Sequence, residues 1–406
     1  MGPVPHFLLP RKIYYGWIVL AALCCAGFAR QGPAVATLSI FVEPLTREFG
    51  WSRTALSGAV SLAGVLAALA SPLIGRLLDR HGPRAVLSTA VLVNAGALIL
   101  LSFTPSLLVF YVLFCIARTN WAVPFDLGIY GAINSWFIAR RALATSVATM
   151  AQIAGLVAMP LIAQIAIGQG SWRTGWVALG VVTLAVGFLP VWLFLGRRPE
   201  EKEVVAPPGH VEPRFSRAQA VRTPAFWLLM LYTVLVFPVQ AGVSLHQASH
   251  LVERGIDPTT AAAVVSVFSL MAGAGTFACG FLPRRLPIRF PMALAGMMAL
   301  AGTLLMTGIA SPAQGYVAGG VFGFGIGAVL TLLPVAWADY FGRANYGAIR
   351  GLALSAQVLA QAAGPILSGA LHDLTGDYLV SLYCFAVLSA LTIIAALAAR
   401  KPRFEA

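Results

Sequence analysis

The sequence predicts an all-α membrane protein with twelve transmembrane helices in two six-helix bundles. Three observations predict it: the composition, the spacing of apolar segments and an internal repeat. Of the 406 residues, 59% are hydrophobic and 10% are charged, whereas soluble chains are about 45–50% apolar and about 25% charged. This composition excludes a soluble enzyme, a disordered chain and a secreted disulfide scaffold. The unbroken apolar segments exclude the alternating strands of a membrane β-barrel.

Twelve apolar segments are each long enough to cross a bilayer, which takes about 20 helical residues. They cover residues 14–41, 53–78, 85–103, 107–136, 142–168, 174–196, 224–250, 259–282, 288–310, 312–341, 349–372 and 378–399. The long polar stretch 197–223 separates the first six from the last six, as a linker would. We therefore predict an N-terminal bundle at 1–196, a cytoplasmic linker at 197–223 and a C-terminal bundle at 224–406.

The basic residues predict the orientation. The chain has a net charge of +13, which by itself is also typical of nucleic-acid binding. With the N-terminus in the cytoplasm, 21 of the 27 Lys and Arg residues fall in cytoplasmic segments and four in external loops. Short cytoplasmic loops are enriched in Lys and Arg. The charge is thus a topology signal, and we expect a multi-pass protein of the inner (plasma) membrane, with both termini cytoplasmic and no nucleic-acid partner.

The two halves of the chain repeat each other. At an offset of 209 residues, Gln152 and Gly155 correspond to Gln361 and Gly364, and at an offset of 205, Gly50 corresponds to Gly255. Both offsets place spans of the first half on the matching spans of the second half. Parallel repeats of this kind are typical of transporters built from two bundles. We expect the monomer to be the functional unit.

The segment GRLLDRHGPR, from Gly75 to Arg84, resembles the cytoplasmic loop between spans two and three of the major facilitator superfamily. Glycine permits close helix approach there, and Asp79 can cap a helix terminus or meet an Arg. The resemblance implies the major facilitator fold and a gating role for Gly75, Asp79 and Arg80. The second-half copy, CGFLPRRLPIR, has Arg284 at the position of Asp79.

A finer resemblance covers most of the chain. The segments YYGWIVLAAL, FVEPLTREFGWSRTALS and DYFGRANYGAIRG are similar to the prokaryotic branch that contains monocarboxylate transporters and oxalate/formate antiporters. That resemblance implies small organic anions, often carboxylates, moved by proton symport or anion exchange. Members often carry a substrate-binding Arg in span eight, where this chain has Thr276. An anion site would therefore take its positive charge from elsewhere.

Two arginines, Arg30 and Arg118, lie near the middle of spans one and four. The resemblance places spans one, four, seven and ten around a central cavity. An Arg at mid-bilayer costs about 2.5–3.5 kcal/mol, so it faces a partner or a water-filled cavity. Guanidinium groups bind carboxylates through paired hydrogen bonds, and we interpret both residues as substrate-binding. The alternative is internal pairing with Asp126 or with backbone carbonyls.

Two further residues are candidates for proton coupling. Asp126 is the one acidic residue well inside a span, and burial can raise a carboxyl pKa enough to carry a proton; the alternative is a structural ion pair, with Arg30 in reach and Arg118 out of reach. His246 in span seven can contact substrate or relay protons. We interpret His250, nearer the outer loop, as a solvated interfacial residue.

Asn120, Gln152 and Gln361 are further substrate-binding candidates, because they are polar residues within spans. Hydrogen bonds between helices are the alternative explanation for them. The five cysteines lie inside predicted helices without metal-ligand spacing, so we expect no metal and no cofactor. The chain has no nucleotide-binding GxxxxGK[ST] motif and no nucleophile and base at active-site spacing, so we predict no enzyme activity.

The function that the sequence favours is secondary active transport of a small organic anion, a carboxylate, by alternating access, coupled to protons or to a counter-anion. The first alternative is efflux of an amphipathic compound, for which Arg30 and Arg118 would be structural and the cavity mainly apolar. The second is a non-transporting sensor or receptor on a transporter scaffold, which would require a soluble signalling domain or a long tail.

Overall fold

The computed structural model describes residues 14–51, 53–196, 213–282 and 286–402, and the described residues form helices without any strand. The helices are α1 Gly16–Ala29, α2 Val35–Phe49, α3 Arg53–Leu101, α4 Leu107–Ala122, α5 Pro124–Trp136, α6 Arg141–Gly168, α7 Trp172–Val182, α8 Leu189–Phe194, α9 Arg217–Val221, α10 Pro224–Glu253, α11 Pro258–Gly280, α12 Arg289–Thr307, α13 Pro312–Phe341, α14 Tyr346–Thr375 and α15 Leu379–Ala398. A π-helical turn, Thr183–Phe188, joins α7 to α8.

The prediction of twelve helical spans is confirmed. Among the described residues, ten helical stretches are long and apolar enough to cross a membrane. One of them, Gly58–Leu101, covers predicted spans two and three. These two spans meet inside α3 at a kink, where Gly82 has a φ of 79°. The predicted first span is divided into α1 and α2. The other nine stretches match predicted spans four to twelve in order.

The chain divides into two compact units. The N-terminal unit comprises Met1–Val211 and Tyr346–Ser355, and the C-terminal unit comprises Glu212–Asn345 and Ala356–Ala406. The boundary therefore falls inside α14, whose first turns pack in the N-terminal unit, whereas our sequence division placed all of α14 in the second bundle. Residues 197–212 of the predicted linker lie outside the described residues. So do some of the basic residues that predict the orientation: Arg11, Lys12, Arg197, Arg198, Lys202, Arg284, Arg285 and Arg403.

The core of the N-terminal unit is aromatic at one end. Phe41 of α2 stacks on Trp176 of α7 with ring centroids 3.8 Å apart, and both side chains are fully buried. Glycine allows a close helix approach in this unit: a β-carbon at Gly155 of α6 would collide with the backbone of Phe28 in α1. Small residues at such crossings let helices pack without a large apolar driving force.

Glycines also line the crossing of α11 and α13 in the C-terminal unit. A β-carbon at Gly275, Gly323 or Gly327 would collide with a backbone carbonyl of the facing helix. Thr276 is fully buried at this crossing and donates its hydroxyl to the Gly327 carbonyl at 3.0 Å. The position at which the resemblance implies an Arg is thus a tight helix contact, with no room for a guanidinium.

The internal repeat is visible in the backbone of each unit. Gly50 ends α2 with a φ of 69°, and its repeat partner Gly255 follows α10 with a φ of 81°. Only glycine adopts this left-handed conformation without a steric cost. Each glycine therefore ends one helix shortly before the next one begins.

Candidate functional site

Two predicted spans break at the arginines that the sequence singles out. α1 ends at Ala29, Arg30 caps its C-terminus, and α2 begins at Val35. α4 ends at Ala122, four residues after Arg118. A cation is favourable at a helix C-terminus, where the backbone dipoles place negative partial charge.

Proline explains both breaks. The connection between α1 and α2 contains Gly32 and Pro33, and Pro124 is the first residue of α5. Proline has no backbone N–H to donate and disfavours helical geometry in the residue before it; Val123, with φ −118° and ψ −68°, departs from helix there. Non-helical backbone at membrane depth is tolerated where it is buried in protein or lines a cavity, and discontinuous helices often mark the binding sites of transporters.

Trp121 connects the two breaks. The guanidinium carbon of Arg118 lies 3.6 Å from the centroid of the Trp121 ring, and that of Arg30 lies 4.8 Å from the same centroid. The indole N–H donates to the Gln31 side-chain oxygen at 2.8 Å. Arg118 also donates to the Pro33 carbonyl at 3.5 Å. The tryptophan of α4 thus holds the α1–α2 connection and contacts both cations through cation–π interactions.

Arg30 keeps hydrogen-bonding capacity in this site. Its side chain is only 6% exposed. Its Nε and Nη1 atoms have no hydrogen-bond partner in the described part of the chain. Buried polar groups are normally satisfied by protein or bound molecules, and a guanidinium presents its N–H groups as a fork that matches a carboxylate.

Asp126 lies in the first turn of α5, where a helix N-terminus favours negative charge. Its carboxylate is 3.8 Å from Nη2 of Arg350, whose side chain is 2% exposed. It also interacts electrostatically with Arg30, although no ion pair within 4 Å joins these two side chains in the described chain. Asp126 therefore interacts with two arginines, Arg30 at the end of α1 and Arg350 of α14. Arg118 is absent from its close partners, as the helix spacing predicts.

The remaining substrate-binding candidates have partners inside their own units. Asn120 donates to the Ile116 carbonyl of its own helix at 3.1 Å. Gln152 donates to the Tyr130 hydroxyl at 3.3 Å and packs against Gly27 of α1. In the C-terminal unit, Gln361 donates to the Gln240 side-chain oxygen at 3.1 Å.

The two predicted histidines of α10 are placed differently from each other. The ring Nε2 of His246 lies 3.3 Å from the Pro365 carbonyl. His250 is only 3% exposed, with its Nε2 2.8 Å from the Met306 carbonyl. The interpretation of His250 as a solvated residue is therefore wrong, because α12 and α15 cover this end of α10.

Asp79 caps a helix in the N-terminal unit. Its two carboxylate oxygens accept from the backbone N–H groups of Gly347 and Ala348 at 2.8 and 2.7 Å, which are donors that the first turn of α14 leaves free. Gly75 lies against the Gly347 carbonyl, so closely that a β-carbon would collide with it. Arg80 is exposed.

Hydroxyl groups extend the contact between α3 and the start of α14. Ser71 donates to the Gly351 carbonyl at 2.7 Å. Ser355 donates to the Ala68 carbonyl at 2.6 Å. The two helices are therefore joined by hydrogen bonds and close backbone contact over several turns.

The sequence reasoning missed Trp121 and Gln31 as members of the site. The pair Gly32-Pro33 directly after Arg30, and Pro124 after Trp121, were the available signals, because each interrupts an apolar span. The partner of Asp126 was also missed, since Arg350 is remote in sequence and was counted only as a loop charge. In the described residues, no three His, Cys, Asp or Glu side chains are grouped to hold a metal ion.

Comparison with known proteins agrees with this architecture. The family model of the Major Facilitator Superfamily matches residues 19–318 and 253–405. Human monocarboxylate transporter 11 is 26% identical over 380 residues, which cover 90% of this chain and 79% of the relative. The oxalate:formate antiporter of Oxalobacter formigenes is 24% identical over 232 residues, or 55% of this chain and 51% of the antiporter.

Among solved structures, the major facilitator transporter FucP in its outward conformation superposes with a TM-score of 0.76. The match covers 96% of this chain and all of that chain at 14% identity, and so concerns the fold alone. The family model spans most of the sequence, and the described helices form the fold of that family. The chain therefore belongs to the major facilitator superfamily, a family of multi-pass membrane transporters and not of enzymes.

Proposed function

We propose that this transporter moves a small organic anion, a carboxylate, by alternating access, coupled to protons or to a counter-anion. The observation that carries the proposal is the pair of guanidinium groups on Trp121, where two spans break. Arg30 and Arg118 both contact that ring, and Nε and Nη1 of Arg30 have no hydrogen-bond partner among the residues that the structure describes. The names of the relatives, monocarboxylate transporter and oxalate:formate antiporter, support the same class of substrate.

The charge balance favours an anion. Arg30, Arg118 and Arg350 bring three positive charges to this region of the N-terminal unit, against one carboxylate at Asp126. An arriving anion would offset part of the cost of burying the excess positive charge. A cation would increase that cost, and a neutral amphipathic compound would leave it unchanged.

The spacing of the two cations suits a single carboxylate. The guanidinium carbons of Arg118 and Arg30 lie 3.6 and 4.8 Å from the centroid of the Trp121 ring, so these two carbons are at most about 8.4 Å apart. In a bidentate pair with N···O distances of about 2.8 Å, the guanidinium and carboxylate carbons lie about 4 Å apart. A carboxylate bound to one of these guanidinium groups would therefore lie near the positive charge of the other.

The other candidates take supporting roles in this proposal. The further proposed substrate-binding residues are Gln152 and Asn120 in the N-terminal unit and Gln361 and His246 in the C-terminal unit. Asp126 and His246 are the proposed proton-coupling residues. Asp126 suits this role because its carboxylate is near two arginines but has an oxygen, Oδ2, without a hydrogen-bond donor in the described chain.

We further propose that the protein lies in the plasma membrane with both termini cytoplasmic, and that Gly75, Asp79 and Arg80 belong to the cytoplasmic gate. The excess of Lys and Arg in the predicted cytoplasmic segments supports this orientation. Single cysteines introduced at positions within 213–223 should then react with an impermeant maleimide only from the cytoplasmic side. Labelling from outside intact cells would contradict the orientation.

The anion site is tested by ligand binding to purified protein. A thermal-shift screen over carboxylates, other anions and cations identifies the ligand class, and titrations then compare wild type with Arg30→Gln and Arg118→Gln. Loss of a charge-assisted hydrogen bond, about 1.5–3 kcal/mol, should weaken anion binding roughly tenfold to a hundredfold. Lys substitutions should restore affinity only in part, because an ammonium lacks the planar fork.

Arg84→Gln is the matched control for these variants. Arg84 also stacks on a tryptophan, with its guanidinium carbon 4.5 Å from the Trp192 ring, but it lies outside the proposed site. Its removal should leave anion affinity unchanged. The proposal is wrong if the Arg30 and Arg118 variants bind anions like wild type, or if the preferred ligand is a cation.

A further inference from the structure

Three histidine rings surround one tyrosine in the C-terminal unit. The ring of Tyr378, just before α15, has its centroid 4.3 Å from that of His372, 5.2 Å from that of His246 and 6.1 Å from that of His250. His246 and His250 lie on α10 and His372 lies near the end of α14. We call these four residues the ring cluster. Only His246 among them was singled out for a proton-coupling role by the sequence.

The hydrogen bonds determine which nitrogen of each inner histidine carries a hydrogen. Nε2 of His246 faces the Pro365 carbonyl at 3.3 Å, and Nε2 of His250 faces the Met306 carbonyl at 2.8 Å. A carbonyl only accepts, so Nε2 must be the protonated nitrogen in both rings. Nδ1 is then the free acceptor, and each ring can take up one proton there.

His372 has a carboxylate beside each ring nitrogen. Its Nε2 lies 2.8 Å from Oε1 of Glu253, at the end of α10, and its Nδ1 lies 3.8 Å from Oδ1 of Asp373. The neutral ring donates to Glu253, whereas the protonated ring keeps that bond and gains charge attraction to both carboxylates. Protonation therefore turns a hydrogen bond between α10 and α14 into an ion pair.

Exposure decreases along the cluster from solvent to the interior. Asp373 is 87% exposed and His372 27%, whereas Tyr378 is 8% and His250 3% exposed. The other charged groups of this end are Arg254 and Asp377, which act electrostatically on His250 together with Glu253. The Tyr378 hydroxyl keeps its proton at neutral pH, as tyrosine ordinarily does.

A small cavity adjoins the inner rings. It has a volume of about 10 Å³ and is lined by His246, His250 and Tyr378 together with Gln247, which is about the room that one water needs. The side chain of Gln247 is 3% exposed, and neither its oxygen nor its nitrogen has a hydrogen-bond partner in the described residues. An unsatisfied buried amide costs about 1–3 kcal/mol, and a water in the cavity would relieve that cost.

We propose that the ring cluster is a proton-binding site of the transporter, in which His372 takes up a proton from solvent and a water beside Gln247 passes it to Nδ1 of His246 or His250. In this relay an N–H bond of protonated His372 breaks as the water accepts that proton, and an O–H bond of the water breaks as Nδ1 of His246 or His250 gains one; His372 and the water end neutral and the acceptor imidazole ends with the positive charge. The proposal rests on the proposed function in that the proton bound by the ring cluster is the ion coupled to transport of the anion. By the predicted orientation, this end of α10 faces outside.

Proton binding is tested first without any substrate, by thermal unfolding of the purified transporter between pH 5.5 and 7.5. Acidification should stabilise wild type relative to His372→Gln and Glu253→Gln, by about 1 °C in melting temperature for one new ion pair in a chain of this length. Glutamine at 372 still donates to Glu253 but takes up no proton. The double variant should show no further loss. Equal acid shifts in all four proteins would overturn the proposal.

The matched control is His81→Gln, which replaces an exposed histidine of the N-terminal unit outside the cluster. It should keep the acid shift of wild type. If His81→Gln loses the same shift, the effect does not come from the ring cluster, and the proposal is wrong.

The coupling is tested in proteoliposomes that contain a pH-sensitive dye, with anion uptake and internal pH followed together. His372→Gln, which can still donate to Glu253, should lose proton movement while anion affinity changes less than threefold. His246→Gln, which can still donate to the Pro365 carbonyl, should lose proton movement as well. Wild-type proton movement in both His246→Gln and His372→Gln would refute the proton role. If wild type binds no anion at all, the proposed function fails, and the thermal test still decides whether the cluster binds protons.

Discussion

The replacement Asp79→Asn tests the cap that joins α3 to the start of α14. Each carboxylate oxygen accepts one backbone N–H of that helix, at 2.8 and 2.7 Å. Asparagine keeps one accepting oxygen and turns an NH₂ group toward the second N–H. It therefore loses one charge-assisted hydrogen bond and the negative charge at a helix N-terminus, together about 2 kcal/mol.

That loss predicts a specific change in local dynamics. A loss of about 2 kcal/mol shifts the equilibrium between the formed and the broken contact of Asp79 with the start of α14 about thirtyfold, since each 1.36 kcal/mol is a factor of ten. Hydrogen exchange at the amides of Gly347 and Ala348, measured by mass spectrometry on a peptide that contains both, should accelerate by about that factor. The control is His81→Gln, which changes an exposed neighbour whose ring nitrogen faces the Leu77 carbonyl of its own helix, and it should leave the exchange rate unchanged.

A functional change should accompany the change in exchange. If the cap helps to hold the gate closed, Asp79→Asn should lower transport turnover in proteoliposomes more than it lowers anion affinity. Unchanged exchange at both amides would refute the energetic reasoning. Faster exchange with unchanged turnover would keep the cap but remove Asp79 from the proposed gate.

Three further predictions concern charges and rings of the N-terminal unit. Trp121→Phe keeps the ring contacts and should weaken anion binding only a few-fold, whereas Trp121→Leu should weaken it about tenfold or more by removing both cation–π contacts; equal affinities in a thermal-shift titration would exclude Trp121 from the site. Asp126→Asn removes a negative charge that acts on Arg30, so the same titration should show tighter anion binding, and weaker binding would mean that Asp126 positions Arg30 instead. Hydrogen bonds from Arg173, foremost, and from a neighbouring tryptophan lower the pKa of the exposed Glu48 from its ordinary 4.5. Their stabilising effect is present above that value and is lost as the pH falls through the lowered pKa, so the difference in melting temperature between wild type and Glu48→Gln should persist at pH 5–8 and shrink in stronger acid. A difference that does not depend on pH would contradict an ionic contribution.

The helices could be predicted from the sequence because each span is a long apolar segment flanked by polar residues. The α1–α2 break could not be placed in the same way, since residues 14–41 are mostly apolar and the mean hydropathy averages over Gly32 and Pro33. Proline marks the position of such a break but not the direction in which the chain continues. That direction depends on Trp121, which holds Gln31 from another helix.

The candidate site was predictable in part. Arg30 and Arg118 stood out because charge is rare inside a span, and the structure brings both onto one ring. Their contact through Trp121 depends on tertiary packing, which composition and spacing do not encode. The same holds for Asp126, whose nearest cation is Arg350 of α14. The sequence indicated that Asp79 can cap a helix terminus, but it did not indicate that the capped helix is α14.

The π-helical turn Thr183–Phe188 limits which insertions and deletions this chain can accept. A π turn accommodates one residue more than an α-helical turn, so a one-residue deletion inside it can be absorbed. A one-residue deletion within α8 would instead rotate the residues that follow by about 100°. That rotation would take the Phe194 carbonyl away from the hydroxyl of Tyr15, at the start of α1, which donates to it at 3.0 Å. Thr183 donates to the Ala29 carbonyl at the end of α1, at 3.2 Å. Both ends of α1, including the end next to Arg30, are therefore bonded to the segment that contains the π turn.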